Sequence, residues 1–407
     1  MLLGIIADDL TGASDIAGFV AKSGFSVVQY AGIPNSPAPQ HCDCAVVSLK
    51  SRSIPAQNAV DDSLAALNWL LKQNCPRIYF KYCSTFDSTP AGNIGPVTDA
   101  FLDALGLDFT ILCPSLPING RTVKNGSLYV DNVPLADSHM RHHPLNPMTD
   151  SFLPRLMDAQ AKGKTGVIDI AAVAKGPNAV RDRMRELAAQ NFRYAVADAE
   201  TDADLDILSA ALRDEKLLTG GSGLGGAVAA RLVEHHPESF ARQAVSGPPA
   251  GKTIALSGSC SKMTNAQTAR YRALAPEFRV DAARWANDNA GGALAPLVNA
   301  TVNPDELRDI QNRFGGAKAA EAVEDFFRKL AALLQRDGFV NFISAGGETS
   351  GAVSLALDVD AFRIGPQIAP GVSWVEAVDR PLWLAMKSGN FGDEDFFAKA
   401  QAMQTVR

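Results

Sequence analysis

Leu2-Leu3-Gly4-Ile5-Ile6-Ala7-Asp8-Asp9-Leu10-Thr11-Gly12-Ala13-Ser14-Asp15 is the stretch that decides the fold. Leu2–Ala7 is an apolar run of the right length for one buried strand. Asp8 and Asp9 stand at its C-terminal end, and an apolar helical pattern follows through Val20. Strand, polar turn and helix in that order open a parallel α/β unit, whose ligands bind in the crevice beyond the strand C-termini. Asp9 or Thr11 can serve simply as the helix cap. Three acids on one such edge (Asp8, Asp9 and Asp15) point further, to a functional site.

The same rhythm continues downstream. Ser26–Tyr30, Cys44–Leu49, Arg77–Cys83, Phe109–Cys113, Gly166–Ile170, Tyr194–Ala197 and Leu217–Thr219 read as strands. Val60, Leu64, Leu67 and Leu71 mark one apolar face of a helix between them. Several strands deliver polar residues at their ends: Lys50-Ser51-Arg52-Ser53, Lys81 to Thr89, and Pro114 to Thr122. Buried runs alternating with helices imply a parallel sheet covered on both faces. Residues 124–155 interrupt the alternation with a polar, Pro-punctuated insertion, the kind that carries function or a lid. His139, His142 and His143 invite a metal reading there, but no firm element fixes their geometry, and a solvated or substrate-facing loop is the preferred reading.

Gly221-Ser222-Gly223-Leu224-Gly225-Gly226 matches a dinucleotide fingerprint, yet no second strand ending in an acid follows about 20 residues on. A tight turn under close helix–sheet packing accounts for it better. Ser246–Gly251 reads as a linker, and a second α/β unit starts at Thr253. Strands at Thr253–Leu256, Phe339–Ser344 and Leu382–Met386 deliver three small-residue loops: Ser257–Ser261, Ala345–Gly351 and Lys387–Gly392. A helical stretch at Asp305–Gln335 is broken or bent at Gly315-Gly316. Three such loops suggest a phosphate cradle, where glycines let backbone N–H groups approach an anion. No G-x-x-x-x-G-K-[ST] sequence is present, so the chain is not a P-loop protein.

Composition narrows the class. The chain has 407 residues, more than one core usually serves. A net charge of −6 without a basic run argues against nucleic acid. No 18-residue apolar stretch offers a membrane span, and the first apolar run lacks the basic flank of a signal peptide. Six scattered cysteines fit reduced core thiols in a cytoplasmic protein, and Cys42-Asp43-Cys44 lacks the second pair of a zinc site.

Ala7 to Asp15, Lys81 with Ser84 to Thr89, Ser257 to Ser261 and Gly346 to Gly351 together resemble the four-carbon acid sugar kinases, in the family's order and over nearly the whole chain. Pro114–Val123 and Met140–Asp150 look most like the 3-oxo-tetronate 4-kinase branch, with D-threonate and D-erythronate kinases as alternatives. The resemblance implies an α/β architecture of two domains, each a mainly parallel sheet flanked by helices, with the active site in the cleft between them. It implies an acid-sugar-binding domain over 1–245, a linker over 246–252 and an ATP-binding domain over 253–407. It also implies metal-dependent transfer of the γ-phosphoryl group of ATP to a terminal hydroxyl, with Mg²⁺ held mainly by the ATP phosphates.

Phosphoryl transfer needs positioning, charge neutralisation and an acceptor for the hydroxyl proton. Asp9, Asp8 and Asp87 are the candidate catalytic carboxylates, Asp9 being the preferred base. Asp15, Arg52, Lys81, Ser84, Asn119 and Arg121 are the candidate substrate-binding residues, the cations suiting a carboxylate. Ser257, Ser259, Gly346, Gly347, Glu348, Thr349, Gly389 and Asn390 are the candidates for ATP. Besides a kinase, a dinucleotide-dependent oxidoreductase using 221–226 and a catalytically idle sugar-acid sensor are the alternative readings. The first lacks its ribose acid, and the second has little use for an ATP domain. Partners are then a small sugar acid and ATP, with a homodimer among the open assemblies.

Overall fold

Strand β1 (Leu3–Ala7) is buried along its whole length, and helix α1 (Leu10–Lys22) follows after two residues. Asp9 is the N-cap, its carboxylate accepting from Gly12 N at 2.8 Å. The helix buries Gly12, Ala13, Ile16, Ala17 and Val20, spacings that line one face. Burying Ile16 and Val20 contributes about 2 kcal/mol each.

The computed structural model describes residues 1–142, 146–235, 247–274, 277–279, 297–387 and 389–404. These form two compact units, Met1–Arg242 and Gln243–Arg407. Ser246 of the expected linker, and His143, Pro144, Leu145 and Ser388, lie outside the described residues.

The first unit continues through β2 (Val27–Ala31), β3 (Cys44–Ser48), α2 (Ala56–Lys72), β4 (Ile78–Lys81), α3 (Ile94–Leu105) and β5 (Thr110–Cys113). After an insertion come α4 (Leu153–Asp158), β9 (Thr165–Ile168), α5 (Ile170–Val173), α6 (Pro177–Ala189), β10 (Tyr194–Ala197), α7 (Asp202–Ala211), β11 (Leu217–Gly220) and α8 (Ser222–His235). The strands are parallel in the order β2-β3-β1-β4-β11-β5-β10-β9. Helices α1, α8, α7 and α6 pack in one row and α2, α3 and α4 in another. The chain leaves β1 towards β2 on one side and leaves β4 towards β5 on the other. Between these two neighbours lies the switch point at which open α/β sheets bind ligands. The insertion is not shapeless: β6 (Arg121–Lys124), β7 (Ser127–Val130) and β8 (Val133–Pro134) form a small antiparallel sheet. Its first turn uses Asn125 and Gly126 at positive φ, the pair a two-residue hairpin favours, and its second uses Asp131 and Asn132.

The second unit runs β12 (Thr253–Ser257), α9 (Lys262–Arg272), β13 (Glu277–Arg279), β14 (Leu297–Asn299), α10 (Pro304–Phe314), α11 (Gly316–Arg336), β15 (Asn341–Ala345) and α12 (Gly347–Ala356). It then continues with β16 (Ala361–Ala369), β17 (Val372–Ala377), β18 (Trp383–Lys387) and α13 (Phe396–Ala402). Its sheet order is β13-β14-β12-β15-β18-β17-β16, parallel through β18 and antiparallel beyond. The β16–β17 hairpin has no counterpart among the strands expected from the sequence. The expected break at Gly315 is real, with φ +84 between α10 and α11. Here the switch point falls between β12 and β15, beside the first two glycine loops. None of the six cysteines forms a disulfide, and Cys42, Cys44, Cys75 and Cys113 are buried.

Candidate functional site

Asp8 continues the strand ladder past β1. Its N–H donates to Lys81 O at 3.0 Å, and its carbonyl accepts from Ser51 N at 3.0 Å. That pairing holds the 51–52 turn against β1 and brings Arg52 over the acids. Arg52 Nε and Nη2 donate to Asp8 Oδ2 and Oδ1, both at 2.8 Å. Nη2 also lies 2.8 Å from Asp9 Oδ1, and Nη1 lies 3.7 Å from Asp87 Oδ2. One guanidinium thus gathers Asp8, Asp9 and Asp87. Burial pushes the Asp8 carboxyl upward, while the Arg52 hydrogen bonds and charge pull it back. The same pairing with Asp8 outweighs burial for Arg52 and holds it cationic. Arg52, expected to offer its fork to a substrate carboxylate, has its Nε–Nη2 edge taken by Asp8.

Asp9 is the most open of the three acids, its side chain 30% exposed against 5% for Asp8 and 7% for Asp87. Its Oδ1 carries both the Gly12 N–H and the Arg52 contact. Among the described residues no donor meets its Oδ2. Lys81 is buried, with Nζ donating to Tyr82 O at 2.8 Å. A Cβ built on Gly12 would sit 2.4 Å from Asp9 Oδ1 and 3.0 Å from Lys81 Nζ. The glycine therefore clears the space these two groups share. Ser84 is half-buried in the turn before Asp87. Asp15 accepts from Ser222 Oγ at 2.5 Å, which ties it to α8. Asn119 is exposed in a 3-10 turn, and its carbonyl accepts from the Arg121 guanidinium. These two follow β5, three strand positions from β1 or roughly 14 Å. No hydrogen bond or ion pair among the described residues joins them to the acid edge.

In the second unit a cavity of about 460 Å³ opens where the loops converge. Gly258, Ser259, Gly346, Gly347, Glu348, Thr349 and Gly389 line one part, and Ala300, Val302, Leu307, Ile310, Ala319, Ala320 and Val323 another. The small-residue part suits phosphates and the apolar part a flat base. Gly346 caps α12 with φ +114, a conformation that favours glycine. A Cβ on Gly258 would lie 2.2 Å from Thr349 Oγ1, and one on Gly389 2.5 Å from Ser259 Oγ. Glu348 is exposed in the first turn of α12. Ser257 is buried against Thr301 Oγ1 at 2.9 Å and does not line the cavity. Asn390 is exposed and does not line it either.

The glycines at 221–226 are packing positions. Cβ atoms there would meet Pro114 O at 2.5 Å (Gly221), Ser115 O at 2.7 Å (Gly223) and Ile16 Cδ1 at 2.5 Å (Gly225). Gly223 is not among the residues with positive φ, so close approach alone requires it. Among the described residues no group of three or more His, Cys, Asp or Glu is placed to hold a metal, His139 included.

Two supporting residues lie outside the candidates the sequence offers. Asn93 Nδ2 donates to Ser51 O at 2.7 Å and Ile54 O at 2.8 Å, bracing the Arg52 turn. Thr85 Oγ1 donates to Asp87 Oδ1 at 2.6 Å. Asn93 acts between loops and Thr85 within its own turn, where no periodicity signals them.

Two family models match the chain, and several known proteins resemble it along its length. Residues 3–228 match a family described as a sugar-binding N-terminal domain, and residues 254–397 one described as a nucleotide-binding C-terminal domain. A 3-oxo-tetronate kinase of Actinobacillus succinogenes is 52% identical, over 99% of this chain and all of that one. A 3-oxo-tetronate kinase of Haemophilus influenzae is 51% identical, over 99% of this chain and all of that one. Among solved structures, a Haemophilus influenzae protein superimposes with TM-score 0.90 at 50% identity, over 98% of this chain and 99% of that one. A Salmonella typhimurium protein described as a putative tRNA synthase superimposes with TM-score 0.93 at 48% identity, over 99% of both chains. With both domains matched and half of all residues shared over full length, the chain belongs to the four-carbon acid sugar kinases and transfers phosphate to a hydroxyl group.

Proposed function

We propose that this kinase phosphorylates the terminal 4-hydroxyl of a 3-oxo-tetronate, with ATP as donor. The observation that carries the substrate choice is the identity of about half of all residues, along the whole chain, with proteins named 3-oxo-tetronate kinase. The first unit's switch point takes the acid. Asp9, through its open Oδ2, accepts the proton as the hydroxyl oxygen attacks the γ-phosphorus and the bond to the β-phosphate oxygen breaks. Asp8 holds Arg52 in place, and Asp87 and Asp15 orient substrate hydroxyls. Lys81 and Ser84 complete the binding of the acid, and Arg52 turns its Nη1 side to it. The second unit's cavity takes ATP, with Ser259, Gly346–Thr349 and Gly389 around the phosphates and Ser257 and Asn390 supporting their loops. The protein donors do not form a metal cage of their own among the described residues. Mg²⁺ would be held mainly by the ATP phosphates and would neutralise their charge, with Glu348 the carboxylate at hand.

The test is ADP release by the full chain with ATP·Mg²⁺ and a panel of four-carbon acids, the 3-oxo acids being generated in situ. The 3-oxo-tetronate should give the highest kcat/KM, with phosphate on O4. Faster turnover of threonate or erythronate would move the chain to another branch, and no ADP with any acid would overturn the reading.

A further inference from the structure

Lys387 ends β18 with its side chain buried rather than extended into solvent, 1% exposed. Its Nζ donates to Gly389 O at 2.9 Å and to Thr264 Oγ1 at 3.1 Å. The same Gly389 carbonyl receives Thr264 Oγ1 at 2.7 Å and Ser261 Oγ at 2.6 Å. The main chain of Lys387 joins the neighbouring loop, its carbonyl accepting from Gly346 N at 2.9 Å. Gly346 in turn is the positive-φ cap of α12, and a Cβ there would meet Ser259 Cβ at 3.2 Å. One residue therefore fastens two of the small-residue loops that rim the 460 Å³ cavity and the helix that follows the third: by its carbonyl the 346–349 loop, and by its amine the 389 loop and the start of α9.

We propose that Lys387 is a positioning residue for the nucleotide: it fixes the Gly389 and Gly346 loops at the spacing the phosphates require without itself touching them. The inference rests on the reading of this cavity as the nucleotide site. Its physical basis is preorganisation. A loop already held in the bound conformation does not lose that freedom when ligand arrives, so affinity falls when the tie is cut. A lysine placed here for stability alone is a poor choice. Burial drives its pKa down to about 8, so the ammonium carries a desolvation cost that an apolar side chain avoids.

The experiment compares nucleotide binding by wild type, Lys387→Met and Thr264→Val as full-length proteins. Titration with ADP·Mg²⁺ gives the dissociation constant, kinetics give KM for ATP and for the acid, and thermal melting follows the fold. The Lys387→Met protein should bind ADP about tenfold more weakly, the loss of a hydrogen bond from a charged donor. KM for the acid should stay within about twofold, and melting should be no lower than wild type. Thr264→Val, which removes the hydroxyl shared by the amine and the Gly389 carbonyl, should shift the same constant in the same direction. It also carries the test if Lys387→Met fails to fold. A lower melting temperature with unchanged ADP affinity in both variants would overturn the proposal and leave Lys387 structural. Failure of wild type to bind ADP at all would instead overturn the nucleotide reading of the cavity, and this inference with it.

Discussion

Arg52 and Asp8 meet in a planar fork, Nε to Oδ2 and Nη2 to Oδ1, each bond 2.8 Å long. Because Asp8 is buried and extends the β1 ladder, the pair is part of the fold before it is part of any reaction. Removing Arg52 strands a buried carboxylate, a loss of about 3 kcal/mol. Arg52→Ala should therefore lower the melting temperature by roughly 6–12 °C as well as impair turnover. Arg52→Lys should recover little of either, since an ammonium cannot form the fork. If Arg52→Ala melts like wild type and only KM for the acid rises, the guanidinium serves substrate rather than Asp8.

Asp9 combines two roles that one substitution separates. Its carboxylate caps α1 through Gly12 N, and asparagine caps about as well as aspartate. Asp9→Asn should leave stability near wild type and lower turnover by roughly 10²–10⁴-fold, with a smaller change in KM for the acid. Near-normal turnover in this variant, with Asp8→Asn inactive, would move the base by one residue.

Gly12 is where sequence and site conflict. It occupies a helical position at which alanine is normally preferred by about 0.5–1 kcal/mol. The Cβ of Gly12→Ala would collide with Asp9 Oδ1 at 2.4 Å and crowd Lys81 Nζ. The helical gain and the strained cap roughly offset each other, so melting should change little. Displacing the acid should lower turnover by roughly 10²-fold. Full activity in Gly12→Ala would show that neither group needs its present position.

What could be read in the sequence followed from periodicity and punctuation. Apolar runs ending in acids located β1 and its edge, and small-residue loops after Thr253, Phe339 and Leu382 located the cavity rim. Residues held by contacts between distant segments left no such trace. Nothing around Asn93 announces that it braces the Arg52 turn, and nothing around Lys387 announces a buried amine. Nor does Arg52 in Lys50-Ser51-Arg52-Ser53 indicate three aspartates as its partners. The β16–β17 hairpin was lost for a related reason. Its exposed face mixes charges with apolar residues, so neither a continuous nor a strictly alternating pattern emerges.

The Gly221–Gly226 turn should prove purely structural. Gly223→Ala puts a methyl 2.7 Å from Ser115 O and 2.9 Å from Leu205 Cδ1, so α8 must shift. Overpacking of this kind costs about 1–3 kcal/mol. Denaturant unfolding should show that loss, with KM for ATP unchanged in the folded fraction. An unaltered unfolding midpoint together with lost nucleotide binding would restore a nucleotide role to this turn.

Lys387 gives stability a pH dependence of definite sign. Burial lowers its pKa from the ordinary 10.5 to about 8 in the folded protein. Below pH 8 the amine is protonated whether the chain is folded or not, and the folded state carries the full desolvation cost. Between pH 8 and 10.5 the unfolded chain holds more protons, so this residue's contribution to stability rises with pH. Lys387→Met escapes the cost at every pH. Its melting temperature should equal or exceed that of wild type at pH 7, and the difference should shrink towards pH 10 as wild-type Lys387 discharges. Using the difference between the two proteins cancels the titration of groups they share. A constant difference from pH 7 to 10, or one that widens in favour of Met, would mean that the Lys387 amine is not depressed by its burial.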